Sequence, residues 1–238
     1  VNVSPHEPLY LKVRTELVRR LTSRALAPGM VLPAEGALAA ELAVSIGTVR
    51  KAVDSLVTDG VLRRHQGKGT FVTEQTPERA NYHFFRLVDT AGERVLPEPG
   101  SETVVTMAAG PEAAAKLRIG AADRVVLIDR VRAIAGRPAL LETIAVPATL
   151  MPGLEAETPL PNALYPHYQS RHGISVISTE DRLSAVAADS GAARALGVAE
   201  GAALLMAERV AHDLTGRTVE WRRSRLRSDG LAYVVTLR

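Results

Sequence analysis

From Leu9 the chain repeats apolar residues at Leu9, Val13, Leu17 and Leu21, with Val18 and Leu26 widening the stripe, the period of a helix that buries one face. That helix is expected to run to about Arg24, before Ala27-Pro28-Gly29 breaks it. A short second helix follows Val31-Leu32-Pro33 with Leu38, Ala39 and Leu42 turned inward. Ser45 is placed to cap a third helix, whose apolar face is Val49, Ala52, Val53, Leu56 and Val57 and which Gly60 ends. Val61 to Arg64 and Thr70 to Thr73 then flank the tip His65-Gln66-Gly67-Lys68-Gly69, the pattern of a two-stranded hairpin.

Residues 74–82 are polar with a proline, so the chain divides into a domain at 1–75, a linker at 76–82 and a second domain at 83–238. In the second domain β-branched runs predict strands at 103–107, 124–133, 141–146, 175–184, 203–212, 218–226 and 232–237. Helices are expected at 111–117, 163–172 and 190–196. Turns such as Ala135-Gly136-Arg137-Pro138 and Leu214-Thr215-Gly216-Arg217 join neighbouring runs, which predicts an α+β domain on a mainly antiparallel sheet. The stretch from Ala113 to Ala121 echoes Ala192 to Gly201, each reading as a helix, a turn and a strand, so a duplicated unit is expected.

At 238 residues the chain fits two domains, and 46% hydrophobic with 23% charged residues is ordinary globular composition. With no cysteine there is no disulfide framework, thiolate chemistry or Cys-based metal site, and the expected compartment is a reducing cytoplasm. Residues 1–8 do not read as a signal peptide, and no apolar run is long enough to span a bilayer, so no membrane partner is expected. The net charge is +3, but residues 1–75 hold ten Lys and Arg against seven Asp and Glu, which leaves the remainder of the chain balanced. The basic excess points to a polyanion partner for the first domain.

Three helices followed by a basic, glycine-tipped hairpin form the plan of a winged helix-turn-helix. Its third helix is narrow enough for the major groove of double-stranded DNA and carries Gly47, Thr48, Arg50 and Lys51 at its start. The wing carries Arg63, Arg64, His65, Gln66 and Lys68, with Gly67 and Gly69 allowing close approach to the sugar-phosphate edge. Residues 8–73 resemble the GntR family of regulators through Pro8-Leu9-Tyr10, Leu26 to Glu35, Val44-Ser45, Thr48 to Ala52, Gly60 and Arg64 to Val72. The resemblance implies DNA contacts at Glu35, Ser45, Gly47, Thr48, Arg50, Lys51, Arg64, His65, Gln66, Gly67, Lys68, Gly69 and Thr70. It also shows departures: Gly36 and Ile46 stand where the family usually has arginine, and Ala43 where it favours glycine.

Residues 83–238 resemble the UTRA effector domain of the HutC-type branch, which shares its fold with chorismate lyase. The residues that carry this are Arg130-Val131-Arg132, Gly136 to Pro138, Glu142, Leu164-Tyr165, His172 to Ile174, Ala192 to Gly197, Val219-Glu220 and Arg227 to Asp229. Arg130 and Arg132, two apart on a strand, share a sheet face and suit a phosphate or carboxylate; the alternative is an ion pair such as Arg132 with Glu142. The resemblance implies effector contacts at Phe85, Arg86, Arg130, Arg132, Glu142, Tyr165 and Glu220. Ala163 replaces the serine that helps sugar-phosphate sensors hold phosphate, which makes a carboxylate or other acid at least as plausible an effector.

The expected function is a DNA-binding transcription regulator, a repressor, whose operator binding is modulated by a small anionic effector, with homodimerisation to match two-fold operators. An enzyme is the main rival. No catalytic set is complete, no cofactor is implied, and His6, His65, His83, His167, His172 and His212 show no metal-ligand spacing, so neither a catalytic nor a metal site is expected. A regulator that has lost DNA binding remains open because of Gly36 and Ile46.

Overall fold

The computed structural model describes residues 8–78 and 86–235. Phe85, His6, His83, residues 79–82 of the expected linker and the end of the last expected strand lie outside the described residues. The chain forms two compact units, residues 1–75 and 76–238.

The first unit is built from α1 (Leu9–Thr22), α2 (Glu35–Glu41) and α3 (Ile46–Thr58), then the hairpin β1 (Leu62–His65) and β2 (Gly69–Val72). The inward stripes are Val13, Leu17, Val18 and Leu21 of α1, Leu38 and Ala39 of α2, and Val49, Ala52, Val53 and Leu56 of α3. Leu9 departs from the expected stripe: at the first helical position it is 57% exposed. The Ser45 side chain accepts a hydrogen bond from Thr48 N at 3.1 Å, which satisfies one of the free amides of α3. The hairpin pairs Leu62 with Val72 and His65 with Gly69, and Leu32 N donates to Thr70 O, tying the segment before α2 to the wing.

Between α2 and α3 the backbone turns through a left-handed residue, and Ala43 occupies it at φ 52°. A Cβ there costs roughly 1–2 kcal/mol, partly offset because glycine would loosen the unfolded chain by about 0.4–1 kcal/mol. Ala43→Gly is therefore expected to stabilise the first unit by about 0.5–1 kcal/mol, read as a rise in urea midpoint with unchanged m-value.

The second unit centres on a six-stranded antiparallel sheet in the order β4-β5-β6-β9-β8-β7. Its strands are β4 (Glu98–Ala108), β5 (Arg124–Ile134), β6 (Arg137–Pro147), β7 (Val176–Ala187), β8 (Ala203–Asp213) and β9 (Thr218–Arg227). A small sheet pairs β3 (Leu87–Asp89) with β10 (Leu231–Tyr233). The strand β3 was not expected from the sequence; three residues are too few to show a period. The helices are α4 (Gly110–Leu117), α5 (Leu164–His167), which continues as a π-helical turn over Tyr168–His172, and α6 (Ser190–Leu196).

The sequence echo corresponds to a duplication of structure. β4-α4-β5-β6 and β7-α6-β8-β9 are successive strand-helix-strand-strand units, and the sheet order joins them at β6 and β9. Both helices end in a left-handed residue, Gly197 after α6 and Arg118 after α4. Packing separates the two sheet faces. On one, α4 covers Val125, Ala145 and Trp221, and α6 covers Leu204. On the other, α5 and the segment before it pack on Ile128, Ile144 and Val146, while Leu231 and Tyr233 of β10 pack near Leu140 and Leu226.

Candidate nucleic-acid interface and effector pocket

Along the outer face of the first unit Ser45, Gly47, Arg50, Lys51, Gln66, Gly67, Lys68 and Gly69 are exposed, and Thr48, His65 and Thr70 are half-exposed. The structure thus gathers the expected contact residues of α3 and the wing on the surface of one unit. Glu35 takes a different part. At the start of α2 it accepts from Arg50 Nε at 2.9 Å and from the Arg64 guanidinium at 3.2 Å, so one carboxylate holds an arginine of α3 and one of the wing. Arg64 also meets Asp54 at 2.6 Å. Lys51 Nζ stands 4.3 Å above the Tyr10 ring, a cation–π contact between α1 and α3. Each of these pairs is solvent-exposed and adds little stability; their consequence is orientation. Ile46 is 49% exposed at the first position of α3, and a side chain at Gly36 would meet nothing within 4 Å.

In the second unit the polar residues lie on the sheet face that α5 covers, because antiparallel register sets them in adjacent cross-strand rows. One row runs Asp181, Arg209, Arg222, Ile144, Ile128 from β7 to β5. The next runs Ala207, Ser224, Glu142, Arg130, Glu102 from β8 to β4. Gly100 lets β4 meet this edge, since a Cβ there would lie 2.2 Å from Val131 O.

Arg130 and Arg132 do share this face, as expected, but both are engaged by the protein. Arg130 donates to Glu102 at 2.6 Å and to Pro161 O; Arg132, 2% exposed, donates to Asn162 Oδ1 at 2.7 Å, Pro97 O and Glu142 at 3.4 Å. The ion-pair alternative for Arg132 is therefore the arrangement found. Glu142 also accepts from Ser224 and Arg222. Burial pushes its carboxyl up, but the charges of Arg222, Arg132 and Arg130 and the Ser224 hydroxyl outweigh that and hold it below the usual carboxylate range.

Glu220 is fully buried and accepts from Tyr165 at 3.0 Å, Tyr168 at 2.9 Å and Arg222 at 3.0 Å. Burial, then the Glu220 charge, pushes both phenols above their usual range. Asp181 takes a bidentate pair from Arg209, both contacts at 2.6 Å, and a hydrogen bond from the Tyr233 hydroxyl. Burial and that hydrogen bond push the Tyr233 phenol to about 12.

An open pocket lies beside this network. Arg86, Glu142, Arg209, Arg222, Ser224 and Tyr233 supply its polar groups, and Leu87, Leu140, Ala207 and Leu226 its apolar wall. Of the expected effector residues, Arg86 and Glu142 reach the pocket, while Arg130, Arg132, Tyr165 and Glu220 support it from the network. Sequence reading missed Tyr168, Arg209 and Asp181. Their signal was in the β7, β8 and β9 register, which pairs Asp181 with Arg209 and Arg209 with Arg222.

The arginines of β9 divide as alternation requires. Arg222 turns inward, whereas Arg223, Arg225 and Arg227 pair with Glu112, Asp189 and Asp229. Trp221 is core, 3% exposed, its Nε1 donating to Glu208. His167 and His172, read as lacking metal-ligand spacing, lie with Glu157 so that a donor atom from each falls within 4.8 Å of the others.

A winged helix-turn-helix joined to a domain of this sheet order defines a two-domain transcription regulator, and comparison with known proteins places it. Residues 9–72 match the model of the gntR family of bacterial regulatory proteins and residues 100–231 that of the UTRA domain. The chain belongs to the GntR family and carries a UTRA domain. It is 28% identical over 236 residues to the HTH-type transcriptional repressor NagR of Bacillus subtilis, covering 98% of this chain and 96% of that one. It is 30% identical over 176 residues to the regulator SmoD of Agrobacterium fabrum, covering 74% and 73%. Among solved structures, the ligand-binding domain of a GntR-family regulator from Bordetella bronchiseptica superposes with a TM-score of 0.59 at 28% identity, over 66% of this chain and 99% of that one. PhnF from Mycobacterium smegmatis matches 95% of this chain and 99% of its own at a TM-score of 0.56 and 26% identity. The chain is thus a DNA-binding transcription regulator with an effector-binding domain, and no described helix is long and apolar enough to cross a membrane.

Proposed function

We propose that the chain is a cytoplasmic, homodimeric repressor that binds two-fold double-stranded operator DNA through α3 and the wing and responds to a small carboxylate-bearing effector. The repressor role is supported by relatives whose names carry it, among them NagR of Bacillus subtilis and MngR of Escherichia coli. Non-enzymatic function agrees with the family, whose members are regulators.

The anionic effector rests on one observation. The guanidiniums of Arg130, Arg132, Arg209 and Arg222 are matched by the carboxylates of Glu102, Glu142, Glu220 and Asp181. Arg86 lines the same pocket, where its charge acts on Asp181 and Tyr233, and it brings the guanidiniums of this group to one more than the carboxylates. One net positive charge beside an apolar wall suits one carboxylate on a partly apolar body. Ala163, which starts α5 with no side-chain hydrogen bond, offers phosphate no hydroxyl there.

Thermal-shift screening of neutral and singly charged acids, followed by titration calorimetry, tests this reading. An acid at a hundred times its Kd is expected to stabilise the chain by about 2.7 kcal/mol. Arg86→Ala is expected to remove that gain without altering operator affinity at zero ligand. Equal stabilisation by neutral analogues, or operator affinity unchanged by saturating acid, would overturn it. Operator binding itself should weaken steeply with salt, with a log–log slope near −0.9 for each phosphate neutralised. Lys68→Ala is expected to make that slope shallower by about 1 per wing.

A further inference from the structure

Away from the pocket, three side chains with metal-binding atoms converge where the segment before α5 meets its π-helical turn. Glu157 follows the 3₁₀ turn Leu154–Ala156, His167 ends α5, and His172 ends the π turn. In a regular α-helix residues five apart are turned by roughly 140° from each other. The wider π turn, with i to i+5 hydrogen bonds, brings position 172 closer to the side of 167 than an α-helix would. The two imidazoles then stand with centroids 6.0 Å apart at 72°, both Nε2 atoms toward the Glu157 carboxylate.

His167 Nε2 is 2.7 Å from Glu157 Oε2, and His172 Nε2 is 3.5 Å from Oε1. Two ligand atoms of a tetrahedral zinc site at the usual bond lengths lie about 3.3 Å apart, between those two distances. Glu157 Oε2 and His167 Nε2 are buried and meet at 2.7 Å as an ion pair whose geometry does not suit a hydrogen bond. Buried polar atoms left in that condition call for an ion or another explanation. The arrangement is enclosed, with the side chains of His172, His167 and Glu157 exposed by 5%, 15% and 20%. Arg171 lies 3.6 Å from the carboxylate and is 65% exposed.

We propose that Glu157, His167 and His172 form a site for a divalent late first-row metal ion, zinc being the reference, with water as fourth ligand. Two imidazoles and one carboxylate select against magnesium and calcium, which take oxygen donors. The ion would fasten the segment 157–172 to itself. That segment carries Leu160 N, Pro161 O and Asn162, which hold Glu102, Arg130 and Arg132, and the Tyr165 and Tyr168 hydroxyls that hold Glu220. The site is independent of the effector reading.

The test uses the full, tag-free chain, stripped with chelator and titrated with Zn²⁺ and with Co²⁺, whose visible absorption reports tetrahedral nitrogen and oxygen ligation. One equivalent is expected per chain, unaffected by excess Mg²⁺, with the melting temperature raised by about 5–10 °C at a hundred times the Kd. His167→Gln and Glu157→Gln, folded by far-ultraviolet circular dichroism, are expected to weaken Zn²⁺ binding by about 100-fold or more. His172 is the most enclosed of the three, so the two more exposed positions carry the test even if a change at 172 disrupts folding. No saturable binding to the stripped chain, or equal affinity in both folded variants, would overturn the proposal.

Discussion

Glu142→Gln is expected to lower the stability of the second unit by about 3–5 kcal/mol, the usual loss when one partner of a buried ion pair is removed. The amide keeps the shape and one acceptor, so no cavity forms. What disappears is the negative charge between Arg132 and Arg222, whose guanidiniums lie 3.4 and 3.3 Å from the two oxygens. Arg132 is nearly enclosed, and Arg222 meets solvent only where it borders the open pocket. For a unit of this size the melting temperature falls by about 6–20 °C, measurable by calorimetry. Arg132→Met in the same background should restore part of the loss, because it removes a charge left uncompensated. A loss below about 1 kcal/mol would show that the network is hydrated and its charges screened. The pH dependence has a defined sign. The folded carboxyl of Glu142 sits below its unfolded range, as does that of Asp181 beside Arg209. Their stabilisation is therefore full above the unfolded carboxylate range near pH 4 and is lost as pH falls through the lower folded values. Glu142→Gln should flatten the acid limb of the stability curve while leaving the neutral plateau lowered throughout.

The helices of the first unit were legible because each buries a stripe at the helical period, and α3 is also bounded by Ser45 and Gly60, signals that act within a few residues. The six long strands were legible for a similar reason, and the echo between residues 113–121 and 192–201 pointed to a repeated helix-turn-strand unit. The pairing of charges was not legible. Which carboxylate meets Arg132 depends on register across β5, β6 and β9, and a shift of one residue would turn Arg132 to the other face. The same limit hid Glu35, fifteen and twenty-nine residues from the arginines it holds. It hid the Glu157, His167 and His172 cluster too, because a spacing of five is ligand-like only in a π turn, and nothing in Tyr168–His172 announces one.

Ile46→Arg is expected to change which operator the protein prefers by about 1–3 kcal/mol per half-site, the discrimination of a bidentate base contact. Ile46 stands at the first position of α3, half exposed, just after the capping Ser45. Recognition helices read bases from this end. An isoleucine there offers only apolar surface, which fits the methyl of thymine and leaves a guanine unread. Arginine at 46 has room, since the native side chain already faces solvent, and would replace that apolar reading with two donors suited to guanine O6 and N7. Selection of sites from random DNA by the native chain and by Ile46→Arg should therefore yield consensus sequences that differ at one symmetric position, with guanine enriched in the variant. Across two half-sites the change multiplies, so a dimer should discriminate by the square of the single-site factor, roughly 30-fold at 1 kcal/mol per half-site and more at the upper end. Identical consensus sequences would mean that position 46 never reaches a base. Specificity would then rest on Thr48, Arg50, Lys51 and the wing, with Arg50 held in place by Glu35 at 2.9 Å.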